Sequence, residues 1–386
     1  MSKKYTSLDT KLIHSGELEK RIEGAVSMPI FQSSTYEYNG QKGYDNLKYI
    51  RLNNTPNHSV LHKKLAALEN AESGLVTSSG MSAITTSLLT VLKAGDHLLA
   101  QNTLYGGTLD FIINDLPNLG IEYDFIKGDE PQEWSEKLKK NTRAVFVETI
   151  TNPLIDIPDL GTVVSFASAQ GLISMIDNTF ASPINFRPAE LGFDLSLHSC
   201  SKYINGHSDI VAGAVIGSEK LINRIKHKLN HFGGSLDPHA CFLLHRGLKT
   251  LALRIRQQNI NALKIAEFMA GHSEVEKLNY PGLKSNPAYF KAKKYLDGFG
   301  GMLSFELKGG TDRADNFINS LIIPINAPSL GGVESLITRP VLTSHSGMNP
   351  TQRQNAGIND KLIRLSVGIE AVDDLLDDLS QALTHK

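Results

Sequence analysis

The chain has 386 residues, with 39 Lys+Arg against 40 Asp+Glu and a formal net charge of -1 with histidine neutral. That balance excludes a global electrostatic attraction to nucleic acid or an anionic membrane, and the length points to a large domain with one or two smaller pieces. Hydrophobic content of 41% with 20% charged residues is that of a globular fold, and the two cysteines, Cys200 and Cys241, are too few for a disulfide framework and fit a reducing compartment.

The stretch 1–9 lacks the apolar core of a signal peptide, and no apolar run approaches the roughly 20 residues that span a bilayer, so a cytoplasmic protein without membrane contact is expected. Residues 1–56 are interrupted by Gly16, Gly24, Pro29, Gly40, Gly43 and Pro56, which keep regular elements short and give an extended arm. Asn57 is expected to cap a helix in which Leu61, Leu65 and Leu68 fall at helical spacing, and a second helix is predicted over 81–92. Short apolar strands then recur at 97–100, 144–147, 172–176, 195–198 and 212–216, with helix-like connections between them. That alternation predicts an α/β fold with a mainly parallel central sheet covered by helices, whose ligands collect where the strands end. A long helix is predicted from about 243 to 270, leading to a smaller C-terminal α/β region with strands at 302–307 and 363–369 and a closing helix at 373–383.

Chemistry concentrates at the strand ends. In His198-Ser199-Cys200-Ser201-Lys202-Tyr203-Ile204-Asn205-Gly206-His207 a potentially nucleophilic amine follows two hydroxyls and opens onto a glycine-containing turn. Such a lysine is what an enzyme needs to hold pyridoxal 5'-phosphate covalently, although the short motif alone fits a solvated loop lysine as readily. The cofactor further requires an acid, an anion cradle and a platform. Asp177, ending Ile173-Ser174-Met175-Ile176-Asp177, is the candidate acid: a carboxylate against the pyridine nitrogen keeps it protonated, so the ring can absorb electrons from a breaking Cα bond. Standing alone, it also fits a strand-end turn. Thr77-Ser78-Ser79-Gly80-Met81-Ser82-Ala83 carries glycine and hydroxyls into a helix start, where free N–H groups suit a phosphate; Ser199 and Ser201 add donors from the other side. Many helices begin this way merely to cap themselves. Tyr105, followed by Gly106 and Gly107, can lie flat over a ring, and Asn152 can hydrogen-bond the cofactor's phenolic oxygen.

Three other classes fit less of the chain. A nicotinamide oxidoreductase would show Gly-x-Gly-x-x-Gly after an early strand, whereas Gly298-Phe299-Gly300-Gly301 comes late and precedes one. His227 and His231 stand at i, i+4 with His239 and His245 nearby, but no Glu follows His227 as in His-Glu-x-x-His, and no metal is expected. A non-catalytic scaffold would be expected to have lost Lys202 or Asp177.

Assembled in this order, the motifs resemble the cysteine and methionine metabolism (trans-sulfuration) family of fold-type I pyridoxal-phosphate enzymes, which contains cystathionine lyases, cystathionine γ-synthase and methionine γ-lyase. The resemblance covers nearly the whole length, through Tyr49-Ile50-Arg51, Ser79-Gly80-Met81, Tyr105-Gly106-Gly107-Thr108, 148–153, 177–179, Ser329-Leu330-Gly331-Gly332 and Arg364-Leu365-Ser366-Val367-Gly368. It implies an aspartate aminotransferase-like fold with an arm over 1–56, a large cofactor-binding domain over 57–250 and a C-terminal domain over 251–386. Lys202 would then carry the cofactor, Asp177 would partner its pyridinium, Tyr105 would stack on it, and Ser79, Gly80, Met81, Ser199 and Ser201 would surround the phosphate. Tyr49 and Arg51 would reach over from a neighbouring subunit, and the assembly would be a homotetramer built as a dimer of dimers. Arg364 would grip the α-carboxylate of an amino-acid substrate as a bidentate guanidinium, assisted by Asn152 and Ser329.

Some positions depart from the family's pattern. Ser201 replaces the usual threonine, Cys200 stands where a small or apolar residue is usual, and Asn53-Asn54-Thr55-Pro56-Asn57 departs from an Asn-Pro-Thr order. Pro328 occupies a place where γ-acting relatives often carry glutamate. Asp110, a substrate-site candidate, falls where some of them have arginine and a bacterial β-lyase branch has Asp. Both tilt the expectation toward cystathionine β-lyase, with cystathionine γ-lyase, cystathionine γ-synthase and methionine γ-lyase as alternatives. In that chemistry a neutral Lys202 takes the Cα proton, and Tyr105 or Lys202 protonates the departing thiolate.

Overall fold

The computed structural model describes residues 5–384; the first four residues of the expected arm and the last two of the C-terminal region lie outside them. The larger of two sheets contains β1 (Ser73–Thr77), β2 (His97–Gln101), β3 (Glu122–Ile126), β4 (Thr142–Glu148), β5 (Ile173–Asp177), β6 (Leu195–Ser199) and β7 (Gly213–Gly217), in the order β1-β7-β6-β5-β4-β2-β3. β7 runs antiparallel to both its neighbours, and the other pairings are parallel. The expectation of a mainly parallel sheet therefore holds. The continuous apolar run Ala144–Val147 of β4 reflects cover on both faces: Val145 and Val147 join one core cluster while Ala144 and Phe146 join the opposite one. Helices Gly80–Val91 and Glu219–Phe232 cover the second face.

The smaller sheet contains β8 (Val275–Asn279), β9 (Met302–Leu307), β10 (Ile325–Asn326), β11 (Leu336–Thr338) and β12 (Ile363–Ser366), in the order β10-β11-β12-β9-β8. With helices Leu251–Ala270, Thr311–Ser320 and Val372–Thr384 it buries a third core around Phe305, Phe317 and Leu365. No helix among the described residues is long and apolar enough to cross a membrane.

Two local expectations are corrected. The helix Pro56–Leu68 starts behind Thr55, and Asn57 lies within its first turn. The Asn57 side chain accepts the Phe31 N–H at 2.8 Å and donates to the Pro29 carbonyl at 2.8 Å, so it fastens the arm instead of capping the helix. The helix predicted over 243–270 is two helices, Pro238–Leu248 and Leu251–Ala270. At the break, the Arg254 guanidinium reaches back to the Gly247 carbonyl at 3.0 Å.

The arm contains one helix of note, Leu8–His14. Lys64, fully buried, donates to the carbonyls of Leu12 at 2.9 Å and Ile13 at 3.1 Å, and its amine lies 3.2 Å from the Glu17 carboxylate. His245 bonds the same Glu17 oxygen at 2.6 Å. Burial lowers the Lys64 pKa, and the Glu17 charge offsets part of that, leaving it at about 8.

Candidate active site

The carboxyl ends of β4, β5 and β6 face the smaller sheet across a cavity of about 1090 Å³. After β6 the chain turns back on itself, with the Asn205 N–H bonded to the Cys200 carbonyl at 3.0 Å and the Gly206 N–H to the Lys202 carbonyl at 2.8 Å. Arg254 fills the inside of this turn, donating to the carbonyls of Tyr203 at 2.8 Å and Ile204 at 3.3 Å. Gly206 has φ +73°, and a Cβ there would lie 1.8 Å from the guanidinium, so the turn requires glycine. Held this way, Lys202 reaches into the cavity and its amine donates to the Ser329 hydroxyl at 2.6 Å. Burial, and then the charge of Arg364, lower its pKa to about 8.

Asp177 ends β5. One of its oxygens accepts from the Thr179 N–H at 2.9 Å and the Thr179 hydroxyl at 2.5 Å, and that hydroxyl in turn accepts the Ser199 N–H at 2.8 Å. Thr179 thus ties the acid to the strand that precedes Lys202. Burial raises the Asp177 pKa, and the hydrogen bonds from Thr179 pull it back. In register beside it on β4 stands Glu148. Burial and the Asp177 charge push the Glu148 carboxyl well above its ordinary range, against the pull of N–H bonds from Tyr105 and Asn152.

The cradle is built at the start of Gly80–Val91. Ser79 caps this helix by accepting the Ser82 N–H at 3.0 Å. A Cβ on Gly80 would stand 2.8 Å from the Ser199 Cβ, so glycine lets the two segments approach each other at the helix start, where N–H groups suit a small anion. Ser199, Gly80 and Met81 line the cavity. Ser201 lines it too, with its hydroxyl accepting the Ala212 N–H at 3.0 Å. Tyr105 precedes the short helix Gly106–Asp110 and lies over Gly107, where a Cβ would be 2.7 Å from the tyrosine ring.

Arg364 comes from β12 and is almost wholly buried. It donates to the Asn152 side-chain oxygen at 3.0 Å and to the Ser329 carbonyl at 3.1 Å. Both oxygens are neutral, so the guanidinium keeps its charge for a carboxylate. Burial lowers its pKa to about 10, which leaves it cationic at neutral pH.

The structure therefore gathers Lys202, Asp177, Tyr105, Ser79, Gly80, Met81, Ser199, Ser201, Asn152, Ser329 and Arg364 around one cavity. It places three sequence candidates elsewhere. Tyr49 and Arg51 sit outside that lining, where Arg51 donates to the Asn230 carbonyl at 2.8 Å and to the Tyr44 hydroxyl. Asp110 is exposed and accepts from the Asn114 amide at 2.7 Å. Glu148, Thr179 and His345 are the residues that sequence reasoning did not single out. His345 is buried near Arg364, and burial followed by the arginine's charge lowers its pKa to about 4. Position at a strand end was the available signal for Glu148; His345 carries none in the sequence.

An amine of lowered pKa, a part-buried carboxylate lining the same cavity, a glycine-lined anion cradle and an aromatic platform are the donor set that pyridoxal phosphate needs, so the residues present fit it. Comparison with known proteins agrees. Residues 9–384 match the family described as Cys/Met metabolism PLP-dependent enzyme. The chain is 41% identical to L-methionine gamma-lyase of Fusobacterium nucleatum subsp. nucleatum over 397 residues, covering 99% of each protein. It is also 41% identical to cystathionine beta-lyase of Lactococcus lactis subsp. cremoris over 382 residues, covering 99% of this chain and 100% of that one. Among solved structures, cystathionine gamma-lyase from Lactobacillus plantarum, complexed with L-serine, superposes with a TM-score of 0.93 at 39% identity over 98% of each chain. The chain belongs to the Cys/Met metabolism family of pyridoxal-phosphate-dependent enzymes.

Proposed function

We propose that this enzyme is a carbon–sulfur lyase that opens L-cystathionine on its β side, giving homocysteine, pyruvate and ammonia, and that it works as a cytoplasmic homotetramer. The carrying observation is that Lys202 and Arg364 both bond Ser329, one at its hydroxyl and the other at its carbonyl. A substrate whose α-carboxylate sits on Arg364 thereby brings its Cα toward the lysine amine.

When bound, pyridoxal phosphate supplies an aldehyde that takes up the substrate amine and a ring that accepts the electrons left at Cα. Asp177 would hold a proton at the ring nitrogen. Lys202, neutral once the pH rises above about 8, takes the Cα proton. Arg364 and Asn152 orient the carboxylate, and Tyr105 or Lys202 hands a proton to the departing thiolate. Ser79, Gly80, Met81, Ser199 and Ser201 would hold the phosphate.

Tyr49 and Arg51 lie outside their own chain's cavity, which supports assigning them to a neighbour's phosphate site. Asp110, exposed and outside that lining, enters the proposal as a specificity residue on the resemblance alone. For β- over γ-chemistry the support is Pro328, which lines the cavity beside Ser329 and brings no acid to it. A γ-elimination needs a second proton removed at Cβ, and the equal identity to a methionine γ-lyase supports that second reading. Incubation of purified enzyme with L-cystathionine decides: pyruvate is expected, 2-oxobutyrate would establish γ-cleavage, and the absence of both would overturn cystathionine as the substrate.

A further inference from the structure

Glu148 takes part in no step above, yet its carboxylate spans two loops of the cavity. One oxygen accepts the Tyr105 N–H at 2.6 Å and the other accepts the Asn152 N–H at 3.2 Å. The Glu148 N–H is itself bonded to the Gln101 side-chain oxygen at 3.0 Å, which joins the end of β4 to the end of β2. Tyr105 follows β2 and Asn152 follows β4, so the sheet alone does not fix the distance between their loops. Glu148 is 4% exposed and neighbours a second carboxylate, Asp177, in register. Burying a carboxylate there costs free energy that two N–H bonds offset in part, so the group is explained by what it holds.

We infer that Glu148 is a positioning residue whose single carboxylate sets Tyr105 and Asn152 relative to each other. Through Asn152 it also sets the Arg364 guanidinium that meets the substrate carboxylate. This rests on reading the Lys202 cavity as the cofactor and substrate site. Glu148→Gln keeps the shape but turns an NH2 group toward one of the two N–H donors. Glu148→Asp keeps both oxygens but is one methylene too short to reach both loops.

The test uses the holoenzyme, with two readouts. Visible circular dichroism of the bound cofactor reports the seating of its ring without turnover, and KM for L-cystathionine reports the carboxylate grip. Glu148→Gln is expected to bind cofactor, to change the dichroism and to raise KM by about 10-fold. Added to Asn152→Ala, the same substitution should change KM by less than about 2-fold, because the contact it controls is already gone. Unchanged dichroism and KM, or effects that simply multiply in the double variant, would overturn the inference. If Glu148→Gln does not fold, Glu148→Asp is read the same way, and collapse of both shows a purely structural group. Should the wild type release no keto acid, the proposed function fails alone, and the dichroism still decides the role of Glu148.

Discussion

Lys202 and Ser329 meet across the seam between the two sheets, 127 positions apart in the chain, with amine and hydroxyl 2.6 Å from each other. Ser329 holds φ +87°, a left-handed conformation that costs a non-glycine residue roughly 1–3 kcal/mol. Its hydroxyl engages Lys202 and its carbonyl engages Arg364, so the strained residue spaces the two cations.

Replacing that amine tests the covalent role directly. Lys202→Ala is expected to fold and to lose the yellow absorbance of lysine-attached cofactor, with turnover falling by roughly 10²- to 10⁴-fold or more. Absorbance spectra and a keto-acid assay check both. Retention of the spectrum with normal turnover would remove Lys202 from the mechanism.

The pH dependence follows from the same group. Lys202 is an ammonium below its lowered pKa of about 8 and a nucleophile above it, so covalent uptake of pyridoxal phosphate by the apoprotein should speed up as pH rises through about 8. Burial is the larger cause and the Arg364 charge the second. Arg364→Leu removes the second cause, raises the lysine's pKa and should move the rise to higher pH. Stopped-flow absorbance after cofactor addition measures it, and a move to lower pH contradicts the electrostatic argument.

Gly206→Ala should fail for a steric reason. The new methyl would occupy the space of the Arg254 guanidinium at a φ of +73°. Strain at that φ, together with displaced hydrogen bonds to the Tyr203 and Ile204 carbonyls, should cost roughly 3 kcal/mol or more. Denaturant unfolding of the holoenzyme would report the loss, with weakened cofactor retention expected at the same time because the turn carries Lys202.

Lys64→Met isolates the arm. It removes the donor to the Leu12 and Ile13 carbonyls and the cation beside Glu17, leaving a part-exposed carboxylate without its ammonium partner. The expected destabilisation is about 2 kcal/mol, below the fully buried case because Glu17 is 28% exposed. Hydrogen exchange should quicken at amides of Leu8–His14 while the cofactor's visible spectrum stays. Uniformly unchanged exchange would show that the arm is held by its apolar contacts.

Legibility in the sequence followed burial. β2, β4, β5, β6 and β7 were readable because they lie inside the sheet and are mostly apolar, β5 and β6 alternating apolar residues with Ser174, Ser196 and His198. β1 and β3 were not: they are the two edges of the larger sheet, and their sequences, Ser73-Gly74-Leu75-Val76-Thr77 and Glu122-Tyr123-Asp124-Phe125-Ile126, mix polar and glycine residues into the strand. The short β10 and β11 were lost for want of length. In the site, Lys202 and Asp177 announced themselves by residue type at strand ends. Glu148 and His345 did not, because Glu148 matters through the Tyr105 N–H, 43 positions away in the chain, and His345 enters the site only by folding against Arg364. Asn57 shows the converse, a good cap former used for a tertiary contact to Pro29 and Phe31.

The reversed direction of β7 has a further consequence. A parallel successor to β6 would force the chain to cross the whole sheet before re-entering it. Here residues 200–212 leave and rejoin the same rim, from Ser199 to the paired Gly213. The amine therefore rides on a tether moored at both ends. Length changes are expected to be tolerated far more readily on the outlying surface loops than in this span, where one inserted residue would move the reactive nitrogen itself.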